Sequence, residues 1–252
     1  TAGHSVCLVD QSPEALDRAM AALTRIHDRL IEKGRLSEEE ARSILGRLDV
    51  ATSLDKLTRA DLVIEAIVED QSVKTKLFQQ LESVVSESAV LASNTSSLSV
   101  TALASGLTHP ERFLGLHFFN PAPLLPLVEV VPALQSREGL AQEMMVAMRN
   151  WGKQPALAKD TPGFIVNRVA RPFYGEAIRI LEEGIADVPT IDWAMTALGG
   201  FRMGPFALMD LIGNDVNFAV TESVWTAFHF DPRYRPSFAQ KRNVDAGWLG
   251  RK

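Results

Sequence analysis

The sequence predicts an α/β chain in two parts, a parallel sheet wrapped by helices and then a domain made of helices alone. Three observations carry that expectation. Short, near-continuous apolar runs alternate with helical patterns through the first two thirds, the habit of strands covered on both faces. From Thr161 the apolar residues switch to helical spacing and keep it, broken only by Gly and Pro. Finally, 252 residues with 46% hydrophobic content can bury a sizeable core, in one large domain or two of ordinary size.

Strands are expected at SVCLVD (5 to 10), DLVIEAIVE (61 to 69), SAVLASN (88 to 94), RFLGLHF (112 to 118), PLVEVV (126 to 131) and QPALAK (154 to 159). Between the first two, a helix runs from Pro13 to about Lys33, and a second opens at Ser37, where SEEE supplies a capping box. That excursion is longer than a simple crossover needs. The DTPG turn at 160 to 163 divides the chain into domains of 1–160 and 161–252, the latter built from GFIVNRVARPFYGEAIRILEEG, VPTIDWAMTALGG and GPFALMDLIGNDVNFAVTESVWTAF.

Composition narrows the partners. A net charge of -5 and the lack of any Lys/Arg run argue against nucleic-acid and anionic-membrane surfaces, leaving small molecules. Cys7 is the sole cysteine, so no intrachain disulfide forms; the expectation is a core thiol in a reducing, cytoplasmic setting. No apolar run reaches the roughly 20 residues of a membrane span, and TAGHSVCLVD lacks the layout of a signal peptide. The histidines at 4, 27, 109, 117 and 229 never fall three to five apart, so no metal site is expected.

In open parallel sheets ligands sit beyond the carboxyl ends of the strands. Standing there are Asp10, Glu69, Asn94 to Ser97, and His117. Asp10 is placed like the acid that takes the ribose hydroxyls in a Rossmann-type dinucleotide fold. The G-x-G-x-x-G turn of that fold lies about 20 residues upstream, which here falls before residue 1. No G-x-G spacing occurs in the chain. The expectation is therefore a domain that begins late, lacking the first strand, the glycine loop and most of the first helix. The plainer reading, that Asp10 merely ends a strand, stands beside it.

The polar turn ASNTSSLSV leads into a short helix and suits an anion or a carbonyl, or serves only as a cap. His117 and Glu129 pose the sharper question, since each is ionisable and each stands in an apolar run. Buried alone, either is costly; buried as a hydrogen-bonded pair they largely offset one another. The Asn120-Pro121 turn can fold their strands together. A carboxylate on one imidazole nitrogen then fixes the tautomer and raises the basicity of the other, which is how a general acid/base is built.

The segments ASNTSS, GLHFFNPAP, LVEVV, KDTPGFIVNR and MGPFALMDLIG, in this order, resemble the L-3-hydroxyacyl-CoA dehydrogenase family over essentially the whole chain. WGKQP, NRVARPFY and DLIGNDVNFAVT are most similar to its 3-hydroxyadipyl-CoA branch from bacterial phenylacetate breakdown. The resemblance implies an NAD-binding Rossmann-type domain followed by a helical domain that forms much of a homodimer interface. It implies catalysis by His117 with Glu129 orienting it, substrate contacts at Ser96 and Asn167, and NAD contacts at Asp10, Glu69, Lys74, Ser96 and Asn120. In the implied reaction His117 takes the proton of the 3-hydroxyl while C3 gives hydride to NAD.

Lys33 stands where the family binds CoA phosphates, with a solvated helix lysine as the alternative. Arg171 lies four residues after Asn167, on one helical face, where short-chain relatives are aliphatic. Either it reads the distal carboxylate of an adipyl chain or it forms a structural ion pair. Three departures stand out: the absent glycine fingerprint, an end at WLGRK short of the family's aromatic close, and Arg202 where many relatives have proline. The expected activity is NAD-dependent oxidation of an L-3-hydroxyacyl-CoA, with 3-hydroxyadipyl-CoA as substrate. The alternatives are a short-chain 3-hydroxybutyryl-CoA dehydrogenase and a silent, crystallin-like structural relative.

Overall fold

A computed structural model describes residues 2–251. The chain falls into two compact units: one runs through Thr95 and takes in Val100–Leu157, and the other comprises Ser96–Ser99 and the chain from Ala158 onward.

The first unit holds all the described strands. β1 (Val6–Val9) is followed by α1 (Pro13–Glu32), whose first turn is set by Ser12 accepting from the Ala15 N–H and by Pro13. α2 (Glu38–Leu45) opens with the expected capping box of Ser37 and Glu40. β2 (Leu48–Ala51) then pairs with β1 in parallel, Val6 opposite Leu48. This strand is absent from the sequence reading, because LDVA is too short and too polar to give a period. β3 (Leu62–Glu65), α3 (Gln71–Val84), β4 (Val90–Ser93), α4 (Val100–Ala104), β5 (Phe113–Phe118), β6 (Leu127–Pro132), α5 (Leu140–Asn150) and β7 (Gln154–Leu157) complete the unit.

β3 to β7 form one sheet in chain order, parallel except for the antiparallel pair β5 and β6. Its core packs Ala92, Leu114, Leu116, Val128 and Val130 of the strands against Leu140 and Met148 of α5. Each of these Leu, Val and Met side chains contributes about 1.5–3 kcal/mol on burial. Among the described residues no strand joins β1 to β3, and Val6, Leu8 and Val50 remain exposed.

The strand expected over 61 to 69 ends at Glu65. There the carboxylate accepts from the Ile67 N–H at 2.6 Å and turns the chain, leaving Ile67 and Val68 exposed. Cys7, expected in the core, is only half-buried, and partial burial together with Asp49 pushes its thiol pKa up.

The second unit carries α6 (Val166–Glu182), α7 (Val188–Trp193) continued by a π turn over Ala194–Leu198, α8 (Pro205–Ile212), α9 (Asn214–Ala227) and α10 (Phe238–Asp245). Tyr174, Ile178 and Met209 centre its core, with Phe173 and Phe206 packed on them. Among the described residues no helix is long and apolar enough to cross a membrane. Arg202 is exposed.

α8 lacks a cap residue of its own. Asp192 of α7 supplies one, its two oxygens accepting from the Phe206 and Ala207 N–H groups at 2.9 Å each. A Cβ on Gly204 would overlap the Asp192 side chain. Gly204→Ala is therefore expected to displace the cap and cost about 1–2 kcal/mol, as Asp192→Ala should. Thermal melts of the two variants check this; a wild-type midpoint for Gly204→Ala would remove the argument.

Candidate active site

His117 and Glu129 are direct register partners across β5 and β6. Opposed residues of an antiparallel pair hold their Cβ atoms close, so the pairing itself delivers the contact. His117 Nδ1 lies 2.7 Å from Glu129 Oε2, with side chains 8% and 0% exposed. An ionised carboxylate only accepts, so opposite it Nδ1 is the donor, and in a neutral imidazole Nε2 then keeps its lone pair. The imidazole is also braced by Phe119, ring centroid to centroid 4.4 Å. One buried base, with its tautomer fixed from behind, stands at the end of a parallel-sheet strand.

A second polar group fills the carboxyl edge of β3 and β4. Lys74, on α3 and 1% exposed, donates to Glu65 Oε1 at 2.6 Å and to the Ile67 carbonyl at 3.4 Å, and its ammonium pairs with Glu69 Oε2 at 3.2 Å. Glu65 also accepts from the Ser93 hydroxyl at 2.7 Å, and Glu69 from the Thr95 hydroxyl at 2.6 Å. The network runs on, since Asn94 accepts from the Phe118 N–H at 2.8 Å, beside His117. Glu65 and Ser93 escaped the sequence reading. The signal was there: Glu65 sits in an apolar strand just as Glu129 does, and the same logic demands a partner for it.

Asp10 is exposed beyond β1, one carboxylate oxygen accepting from the Ser12 N–H at 2.9 Å. Glu69 keeps 35% of its side chain open, and Asn120 is exposed after β5. Carboxylates and an amide of this kind suit the hydroxyls of a nucleotide's riboses. No G-x-G pair exists in the chain to receive a pyrophosphate. Lys33 is exposed at the end of α1.

In the second unit, Asn167, in the first turn of α6, donates through Nδ2 to the Ser96 carbonyl at 3.3 Å. Ser99 donates to Asp160 at 2.9 Å, tying the same short segment to the approach to α6. Arg171 is buried, bound to backbone carbonyls and a threonine hydroxyl.

Residues 1–161 match the NAD-binding domain of 3-hydroxyacyl-CoA dehydrogenase, and residues 163–252 match that enzyme's C-terminal domain. The chain belongs to the 3-hydroxyacyl-CoA dehydrogenase family. It is 48% identical to a 3-hydroxyadipyl-CoA dehydrogenase of Escherichia coli over 99% of its own length and 53% of that protein's. It thus spans about half of this relative. Against a probable 3-hydroxybutyryl-CoA dehydrogenase of Deinococcus radiodurans it is 40% identical, covering 99% of itself and 89% of the relative. Among solved structures, the (S)-3-hydroxybutyryl-CoA dehydrogenase of Ralstonia eutropha superposes with a TM-score of 0.95 at 40% identity, over 99% of this chain and 88% of that one.

Proposed function

We propose that this chain carries the oxidation of an L-3-hydroxyacyl-CoA to the 3-oxoacyl-CoA with NAD. The buried His117–Glu129 pair, 2.7 Å apart, is the observation that carries this reading. NAD, when bound, would supply the acceptor for the hydride that leaves C3. His117 Nε2 accepts the proton of the 3-hydroxyl, and Glu129 steadies the imidazolium that results. In the reverse direction His117 returns that proton to the carbonyl oxygen. Ser96 and Asn167 hold the substrate oxygen in this scheme and polarise it for reduction. Asp10, Glu69 and Asn120 take the cofactor's hydroxyl-rich parts, with Lys74 behind Glu69, and Lys33 meets the CoA phosphates. The names of the relatives in both comparisons support the same chemistry.

The second unit leaves Ile185, Trp193, Leu198 and Phe238 exposed, at 68%, 58%, 75% and 75%. Such side chains fit a homodimer formed through the helical unit. The lone thiol at Cys7 is consistent with the cytoplasm.

NADH consumption with acetoacetyl-CoA tests the activity directly. Formation of 3-hydroxybutyryl-CoA, lost in His117→Ala, is the expected result. A folded chain that binds NADH and acyl-CoA yet transfers no hydride would be a silent relative, and the reading would fall.

A further inference from the structure

Among the described residues, Arg171 is a buried charge with no counter-charge. It is 5% exposed on α6, and no carboxylate among the described residues lies within ion-pair distance of it. The structural ion pair expected as the alternative is therefore not formed among the described residues. Its Nε donates to the Asn167 carbonyl at 3.1 Å, and Nη1 to the Asn217 carbonyl at 3.0 Å and the Thr221 hydroxyl at 2.8 Å. The Tyr174 ring lies under the guanidinium, 5.0 Å from centroid to Cζ. All these partners are neutral. Burial accordingly pulls the guanidinium down from its ordinary value to about 10.

A second anomaly touches the first. Asn217, 1% exposed on α9, leaves its side-chain Nδ2 buried with no hydrogen-bond partner among the described residues. Its Oδ1 is taken by Gln240 at 3.1 Å, and its carbonyl by Arg171 and Thr221. A buried amide without an acceptor and a buried cation without an anion are each costly, and native proteins rarely keep either without cause. A carboxylate would answer both, bringing a negative charge to the guanidinium and two oxygen acceptors, one for an N–H of Arg171 and one for Asn217 Nδ2.

We infer that Arg171, with Asn217 beside it, is the specificity-determining receptor for the terminal carboxylate of a dicarboxylyl-CoA substrate. This rests on the dehydrogenase reading, which places the reacting oxygen at Asn167. Arg171 follows Asn167 by one helical turn, roughly 6 Å along the axis. In a six-carbon diacid the free carboxyl carbon stands three bonds from C3, roughly 4 Å at about 1.5 Å per bond. The spacing on the helix therefore suits that chain length, and an acyl chain ending in methyl leaves both donors unmatched.

The test compares 3-oxoadipyl-CoA with 3-oxohexanoyl-CoA, equal in length and different only at the far end. The wild-type chain is expected to favour the carboxylate by about tenfold or more in kcat/KM, the worth of a charge-assisted hydrogen bond. Arg171→Met should abolish that preference, and Arg171→Lys should retain part of it. A readout without cofactor comes from melting: adipyl-CoA should raise the midpoint of the wild-type chain more than hexanoyl-CoA does. That comparison decides the matter should Arg171→Met fail to fold. Equal kcat/KM for the two substrates, or equal melting shifts, would overturn the inference and leave Arg171 as a staple between α6 and α9. Loss of the dimer in Arg171→Met without any ligand preference would do the same, assigning the missing anion to a second copy. Failure of the dehydrogenase reading looks different, since neither 3-oxoacyl-CoA would then be reduced even where the binding preference persists.

Discussion

Glu129→Gln is expected to lower kcat by about 10²- to 10⁴-fold while leaving the fold in place. The amide oxygen of glutamine can still accept from His117 Nδ1, so the bond now seen at 2.7 Å survives in kind. What disappears is the negative charge that stabilises the imidazolium as the proton arrives. Because the pair is buried, at 8% and 0% side-chain exposure, that charge is little screened and its loss is felt in full. Glu129→Ala should be worse in a second way, leaving the imidazole N–H buried without an acceptor and lowering the melting point as well. Steady-state rates with NADH and acetoacetyl-CoA, taken beside thermal melts, separate the two effects. An unchanged kcat in Glu129→Gln would show that the carboxylate only fills space, and the proton-transfer role of His117 would go with it.

The residues that were legible in the sequence share one property: their environment is written locally. His117 and Glu129 each sit in an apolar strand, and a single turn joins those strands, so the contact follows from alternation and register. The capping box at Ser37 and Glu40 is likewise confined to four consecutive residues. What escaped depends on elements that meet only in the fold. Lys74 is named from the sequence as an NAD contact but its partner Glu65 is not, because the loop between them takes its path from that carboxylate, through the Ile67 N–H. Arg171 is held by the carbonyls of Asn167 and Asn217, and a backbone carbonyl leaves no mark in a sequence. β2 was hidden because four residues, LDVA, draw their strand character from β1 and not from their own period.

Lys74→Met should be the most destabilising single change at the carboxyl edge of the sheet. It removes the cation from a carboxylate whose side chain is 0% exposed, stranding Glu65 as an unpaired buried charge. Breaking such a pair from one side costs about 3–5 kcal/mol. For a chain of this size each kcal/mol is worth about 2–4 °C, so the midpoint should fall by roughly 6–20 °C. Glu65→Gln in the Lys74→Met background should recover much of the loss, because no uncompensated charge remains to be buried. A second cycle, Lys74→Met with Glu69→Gln, asks whether Lys74 serves the cofactor by touch or by posture. Its ammonium already donates to Glu65 and the Ile67 carbonyl and pairs with Glu69, whereas Glu69 is the member that keeps 35% of its side chain open. If Lys74 acts by steadying Glu69, its removal should weaken NADH binding no further once Glu69→Gln is present. Fluorescence titration with NADH across that double-mutant cycle reads the coupling directly. Independent, additive losses would mean that Lys74 turns away from its carboxylates to meet the nucleotide itself.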